Sequence, residues 1–382
     1  MIKKFKYTLN LEDYLGNSPR INGFKKLKQA GLPIPEPIFV INQNTFIEYK
    51  KNGLTNNILK ELETIHRIMR VKNSKKGIVV RRAYVVPGIE SPPGPRSSSF
   101  KDFQILILEI KKIFDFAIKN KFDIKGSEIS AFIHPHINPK IPLGGGCVTG
   151  EGHNGKMGIL IEAIYGNDEG VQSFPHDDYI LDLKLNKFIE KTIHYKNQCL
   201  SVVNQFEYKT IYIPRKLRNV QVFPDNIILK IARHYRKFNK IYGSHRLEFD
   251  VLKTGIFYIE ATAYAKKETS QLSIQFSGKI VRVRTLEDIN KIKITNRIIF
   301  VDPKVIKTRN MDLLTHLVCT LPEEKVILYP GSVSIAHASI IFREMGHTIV
   351  YIGSEIFEDG EEVVVQIKDG ELIGPYFLFL SP

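Results

Sequence analysis

The residue whose neighbours best prepare it for chemistry is His337. The stretch 329–346, YPGSVSIAHASIIFREMG, brings a loop of small residues up to the histidine and leads an apolar, helix-like run away from it. Gly346 stands where a helix C-cap would. A histidine at a helix start, held by small residues, has an exposed ring. Such a ring can attack phosphorus, and a helix N-terminus beside it favours the bound anion. Spacing alone favours a capping or surface histidine, in a chain that has 11. A second candidate is His134-x-His136, in the strand-like run ISAFIHPHINPK. Alternate residues of a strand share a face. The pair therefore fits either a metal site lacking a third ligand or, as favoured here, the lining of a pocket. The triple glycine in LGGGCVTGEGHNG, 143–155, is a weak phosphate-loop pattern when taken alone.

Helices and strands must carry these residues, and the sequence marks many of them. Residues 17–41 read as a helix ended by Gly31, a turn in which Pro33 and Pro35 bar continuation, and a strand at 39–41. A helix is predicted over 57–70, a strand at 78–80, and an amphipathic helix over 102–121. The loop 87–99, rich in Pro, Gly and Ser, reads as a mobile lid or as an ordinary surface loop. A helix follows over 224–238, then two strands joined at Lys253-Thr254-Gly255. Near the end, EEVVVQIKDGELIG reads as a hairpin turning at Asp369-Gly370.

Composition narrows the class. A chain of 382 residues can bury more than one core. Its hydrophobic content is 43%, without an apolar run of membrane-spanning length, so no membrane partner is expected. The first residues lack the apolar core of a signal peptide. The three cysteines have neither metal nor disulfide spacing, which fits a reducing, cytoplasmic setting. The net charge of +15 invites acidic partners. It is spread along the chain without a basic tract or an RNA-binding motif, which disfavours nucleic acid.

The stretch around His337 resembles the phosphohistidine domain of the phosphoenolpyruvate synthase and pyruvate phosphate dikinase family. There a Gly-rich loop meets Thr-Ser-His, two small residues, an aliphatic pair and Ala-Arg-Glu-Leu-Gly. His337, Ala338, Arg343, Glu344 and Gly346 fall in register; Ile335 and Ala336 replace Thr-Ser, and Phe342 precedes the arginine. The resemblance continues upstream in order. Arg20 stands at the place of the family's ATP-contacting lysine, and Val80-Arg81-Arg82-Ala83 at the start of its Val-Arg-Ser-Ser-Ala pattern. Arg81 would therefore clamp phosphates. His134 and His136 fall on the strand that lines the adenine pocket. Glu162, Ala163, Gly166, Glu169, Asp177, Tyr179 and Asp182 keep the order of the family's Ile-Glu-Ala to Pro-Asp stretch, with Glu169 on the nucleotide side. Glu248 aligns with the family's metal-binding Glu and Glu260 with its Gln, so the pair would hold the Mg²⁺ of Mg-ATP. Thr262 occupies the place of the family's catalytic Arg, and Ala263 that of the Pro. Arg20, Arg81, Arg82 and Arg246 are the candidates to supply the missing charge.

The implied fold class is α/β (α+β): an ATP-grasp-like nucleotide-binding domain over 1–270, a linker over 271–294, and a swivelling β/α phosphohistidine domain over 295–382. The implied function is an ATP-dependent phosphotransferase that passes a phosphoryl group from ATP through phospho-His337. Its acceptor would be a separate subunit or a small molecule, because the family's C-terminal barrel has no counterpart here. The alternative is a nucleotide-binding regulatory protein that keeps the fold and has lost turnover.

Overall fold

The computed structural model describes residues 5–72, 77–89, 92, 94–95, 97–150, 158–172, 174–203, 207–263, 274–293, 295–307, 313, 316–317, 320–321, 325–329, 347–351, 357–368 and 371–372. The chain divides into two compact units, Met1–Ala265 and Lys266–Pro382.

The first unit opens with β1 (Thr8–Asn10), α1 (Pro19–Gln29), β2 (Phe39–Ile41), α2 (Gln43–Asn52), α3 (Asn56–Lys72), β3 (Ile78–Val85), α4 (Phe103–Lys119) and β4 (Glu128–Pro135). These strands form an antiparallel sheet in the order β1-β2-β4-β3. One face is apolar: Phe39, Ile41, Ile78, Val80, Ile129, Ala131 and Ile133 pack with Ile58, Leu62, Ile65, Ile110 and Phe114 of the helices. Period-2 alternation then sends Arg81, Phe132 and His134 to the other face.

The rest of the unit is β5 (Gly144–Thr149), β6 (Ile159–Tyr165), β7 (Asp177–Leu181), β8 (Phe188–Thr192), the β9 (Gln198–Val203) and β10 (Glu207–Tyr212) hairpin, α5 (Asp225–Tyr242), β11 (His245–Leu252) and β12 (Gly255–Ala263). Six of these strands make a second antiparallel sheet, β12-β11-β5-β6-β7-β8. Amphipathic α5 buries Ile228, Ile231, Ala232, Tyr235 and Phe238. Phe238 meets His245 at 5.1 Å between ring centroids, and His234 meets Tyr258 at 5.7 Å, so α5 covers one face. Helix α1 lies against both sheets. Its Gly23 rides on the Ala261 carbonyl of β12, where an added Cβ would come within 2.3 Å. Its Phe24 ring packs at 5.5 Å from Phe132 and 5.7 Å from His134 of β4.

The second unit contains β13 (Ile274–Val283), α6 (Leu286–Asn290), β14 (Ile298–Val301), α7 (Pro303–Lys307), β15 (Val326–Tyr329), β16 (Thr348–Tyr351), β17 (Glu362–Lys368) and β18 (Glu371–Leu372). The sheet order is β16-β15-β14-β13-β17-β18, parallel from β13 to β16 and antiparallel at β17 and β18. Apolar clusters lie on both faces. Ile299, Val301 and Ile327 join one, and Ile298, Phe300, Val326 and Leu328 join the other. Burial on both faces is what a parallel core demands. The stretch 271–294, expected as a linker, carries β13 and α6. Its IQFSGKIVRV run is the strand between β14 and β17, and its alternating Phe276, Ile280 and Val283 are needed by the two clusters.

Candidate functional site

The face of the six-stranded sheet away from α5 carries a row of polar side chains set by strand register. Glu260 pairs with Glu248 across β12 and β11, Glu248 with Cys147 of β5, Cys147 with Glu162 of β6, and Glu162 with Asp178 of β7. Directly paired residues point to the same side of a sheet. The row therefore crosses five strands with one free thiol at its centre, flanked by two pairs of carboxylates.

The first pair is matched by arginines. Arg246, two residues before Glu248 on β11, reaches its Oε1 at 2.8 Å through Nη1. Arg20, on the first turn of α1, lies 3.5 Å from Glu260 through Nη2. The Thr262 hydroxyl donates to Glu260 Oε1 at 3.1 Å. Arg246 and Thr262 are themselves register partners. The guanidinium that resemblance places at position 262 thus stands directly across the ladder at 246. Burial raises the carboxyl of Glu248 above its usual range; Arg246 opposes that shift, and the Glu260 and Glu169 carboxylates add to it. Arg246 is buried at 3% exposure, and its Nε has no hydrogen-bond partner.

Two further carboxyls enter this end of the row. Asp250, two residues after Glu248, is 1% exposed, and neither of its oxygens closes a hydrogen bond. The Asp168 N–H leans toward Asp250 without completing one. Asp168, at the start of the short turn Asp168–Gln172, also leaves its buried Oδ1 without a partner. Burial pushes both carboxyls well up, and the neighbouring carboxylates Glu248 and Glu169 push them further. Gly145 makes this crowding feasible: a Cβ there would stand 2.2 Å from Asp250 Oδ1 and 2.9 Å from the Asp168 Cβ. The triple glycine is accordingly strand β5, whose bareness admits carboxyls and neighbouring backbone. It is not a phosphate loop. Asp250 and Asp168 were not singled out in the sequence; Glu-x-Asp on a strand beside a glycine strand is the signal that marks them.

His134, His136 and Arg81 stand together on the four-stranded sheet. His134 donates through Nδ1 to the Pro135 carbonyl, 2.9 Å away, and its ring stacks on Phe132. Burial, reinforced by Arg81, lowers His134 to about 3. Burial and Arg81 lower His136 to about 4, against the pull of Glu169. Both rings are therefore neutral at pH 7. No third ligand joins them among the described residues. Arg81 donates through Nη1 to the Ser97 carbonyl at 2.9 Å, and the Ser97 hydroxyl accepts the Val80 N–H at 2.7 Å. The described part of the expected lid is thus tied along β3.

Of the predicted site residues, Arg20, Glu248 and Glu260 stand together through direct contacts, with Glu169 close enough to shift the Glu248 carboxyl. Arg81, His134 and His136 form a second group, in which His136 also responds to the Glu169 charge. His337 lies outside the described residues, as do Ile335, Ala336, Ala338, Phe342, Arg343, Glu344 and Gly346.

Comparison with known proteins gives remote likenesses. No protein-family model matches the chain, and no curated protein matches it. Among solved structures, the D-alanine–D-alanine ligase of Bacillus anthracis aligns over 64% of this chain and 57% of its own, at 12% identity and a TM-score of 0.30. The D-alanine–D-alanine ligase of Helicobacter pylori aligns over 64% and 54%, at 10% identity and a TM-score of 0.29. The macrocyclase MdnC of Microcystis aeruginosa MRC, bound with precursor peptide MdnA, aligns over 64% and 52%, at 12% identity and a TM-score of 0.28. The match therefore spans little more than half of each of those chains. Among the described residues, no helix is long and apolar enough to cross a membrane.

Proposed function

We propose that the first unit is an ATP-grasp-like nucleotide site and that the chain is an ATP-dependent phosphoryl-transfer enzyme. The observation that carries this reading is the meeting of Arg20, Glu260, Glu248 and Arg246, from a helix and two strands, beside buried Asp250, whose oxygens close no hydrogen bond, and Asp168, whose Oδ1 has no partner. A cluster of that sign is costly when left alone and fits a divalent cation. The donor set is all oxygen, which suits Mg²⁺. Glu248 and Glu260 would hold it, with Asp250 and Asp168 behind them. When bound, Mg²⁺ neutralises the phosphate oxygens and polarises the group to be transferred.

The protein's own residues do the rest. Arg246 holds Glu248 in place and keeps a fixed positive charge where Thr262 offers none, on the side of the sheet that would face the phosphates. Arg20 adds a second, partly exposed charge near Glu260. Neutral His134 and His136, with Phe132 and Phe24, make an apolar aromatic wall suited to a base. Arg81 stands beside that wall. His337 as the phosphoryl carrier, and a separate acceptor, rest on sequence resemblance.

One labelling experiment separates the alternatives. Protein and the Glu248→Gln variant are incubated with Mg²⁺ and ATP labelled at the β or the γ phosphate. Acid-labile label on the protein, lost in His337→Ala, supports the carrier route, and the labelled position gives the stoichiometry. Turnover without protein label supports direct transfer. Wild type that neither binds nor turns over ATP overturns the nucleotide reading. Binding without turnover selects the regulatory one.

A further inference from the structure

The other end of the carboxylate row has a different composition. Glu162 and Asp178 are register partners on β6 and β7, and His176 precedes Asp178 by two residues on the same side. His176 Nε2 lies 3.2 Å from Glu162 Oε1 and 3.4 Å from Asp178 Oδ1. The ligand atoms of all three residues lie within 4.8 Å of one another. Ligand atoms about 2.0–2.1 Å from a tetrahedral zinc ion sit about 3.3–3.4 Å apart. The two separations from His176 Nε2 match that edge.

The surroundings fix each ligand. His176 Nδ1 donates to the Phe174 carbonyl at 2.9 Å, which leaves Nε2 as the nitrogen that faces the carboxylates. The Cys147 thiol donates to the second oxygen of Glu162 at 3.3 Å. His194 Nε2 lies 3.2 Å from the second oxygen of Asp178. Metal-binding histidines and carboxylates are oriented in this way by outer partners on their remaining atoms. Glu162 and His176 are nearly fully buried, while the Asp178 side chain is 21% exposed, so the cluster opens to solvent on one side.

We infer that Glu162, His176 and Asp178 form a binding site for one zinc-class divalent cation, with a fourth position open beside Asp178 for water or an anionic oxygen. The nitrogen donor separates this site from the all-oxygen Glu248/Glu260 pair, which suits Mg²⁺. The two sites would share a face of the sheet, three strand spacings or about 14 Å apart from centre to centre. This inference does not depend on the nucleotide reading.

The full chain, stripped of metal with a chelator, is titrated with Co²⁺ in excess Mg²⁺, which occupies oxygen-only sites. We expect one Co²⁺ per chain with the strong visible bands of a low-coordinate ion, displaced by Zn²⁺. His176→Gln and Asp178→Asn should each weaken binding at least about tenfold, and Glu248→Gln should leave it intact. Circular dichroism checks each variant; if His176→Gln does not fold, the partly exposed Asp178→Asn decides. Absence of a stoichiometric Co²⁺ in the wild type, or equal affinity in folded Asp178→Asn, overturns the site. Loss of Co²⁺ binding in Glu248→Gln alone overturns it too, because the metal then belongs to the other pair.

Discussion

Two carboxylate pairs stand on one sheet face, built by the same register rule, and differ in what balances them. Glu248 and Glu260 face Arg246 and Arg20, whose charges no ordinary pH removes. Glu162 and Asp178 face His176, a group that can give up its proton. Burial alone would lower His176, yet hydrogen bonds to Asp178 and Glu162 raise it to about 10. One end of the row therefore holds a permanent field suited to phosphate chemistry. The other holds an exchangeable cation. Two cross-strand carboxylate pairs thus differ in their counter-charge, guanidinium at one end and imidazole at the other.

The strongest way to break the comparison is to disturb one end from behind. Asp177 points to the opposite face of β7 from Asp178. It is paired there with Lys196, both side chains fully buried. It also accepts the Val222 N–H at 2.8 Å. Lys196→Met removes the cation and strands the carboxylate, an effect of about 3–5 kcal/mol for a buried pair. Urea melts should show a loss of that size. A loss below about 1 kcal/mol would mean that the pair does not anchor β7.

Next in size is Arg246→Ala, expected to lower ATP turnover by about 10²–10³-fold, as removal of one preorganised charge does. Arg246→Lys should recover part of the loss. Joining Arg246→Thr with Thr262→Arg moves the guanidinium across one rung of the ladder and restores the arrangement that the sequence resemblance implies. Activity in the double variant above that of Arg246→Thr alone would establish that the charge matters more than the strand carrying it.

A smaller effect sharpens the contrast between histidines. His176 has its folded value raised above the ordinary 6.5, so its stabilisation is complete below 6.5 and is lost as pH rises toward 10. His134 and His136 have theirs lowered to about 3 and 4, so the unfolded chain gains protons first, and stability falls as pH drops from 6.5 toward those values. The stability profile of the metal-free protein should peak near pH 6.5. His176→Gln should flatten the alkaline limb, and His136→Gln the acidic one. An unchanged alkaline limb in His176→Gln would refute the imidazolium assignment.

The elements were legible where pattern is strong. The helix, Gly-Pro turn and strand of 17–41, the amphipathic helix of 102–121 and the strand pair around Lys253-Thr254-Gly255 all appear where periodicity and turn residues place them. The pairing of Glu248 with Glu260 was legible because a two-strand turn brings them face to face. Long-range register was not. That Cys147 stands between Glu248 and Glu162 depends on β5 entering between β11 and β6, which no local pattern encodes. His176-x-Asp178 has the same alternation as His134-x-His136, yet its sequence is a weaker signal, because two histidines look like ligands and a histidine beside aspartates looks like a surface turn. β13 lies within the stretch expected as a linker, because its Lys279 and Arg282 mask a strand buried by its neighbours.

The least change concerns Arg20, and it tests how the two arginines divide the work. Arg20 touches Glu260 at 3.5 Å through one nitrogen, and both side chains keep some solvent, 26% and 19%. Such a contact is worth up to about 1 kcal/mol, and a lysine can replace most of it. Arg246 is buried and makes the shorter contact. If Arg20 only helps to collect the nucleotide, Arg20→Lys should raise KM for ATP by no more than about fivefold and leave kcat unchanged, the mark of binding shared equally by ground and transition states. A fall in kcat at constant KM would instead place Arg20 against the transferring group. The fixed field at this end of the row would then belong to both arginines, not to Arg246 alone.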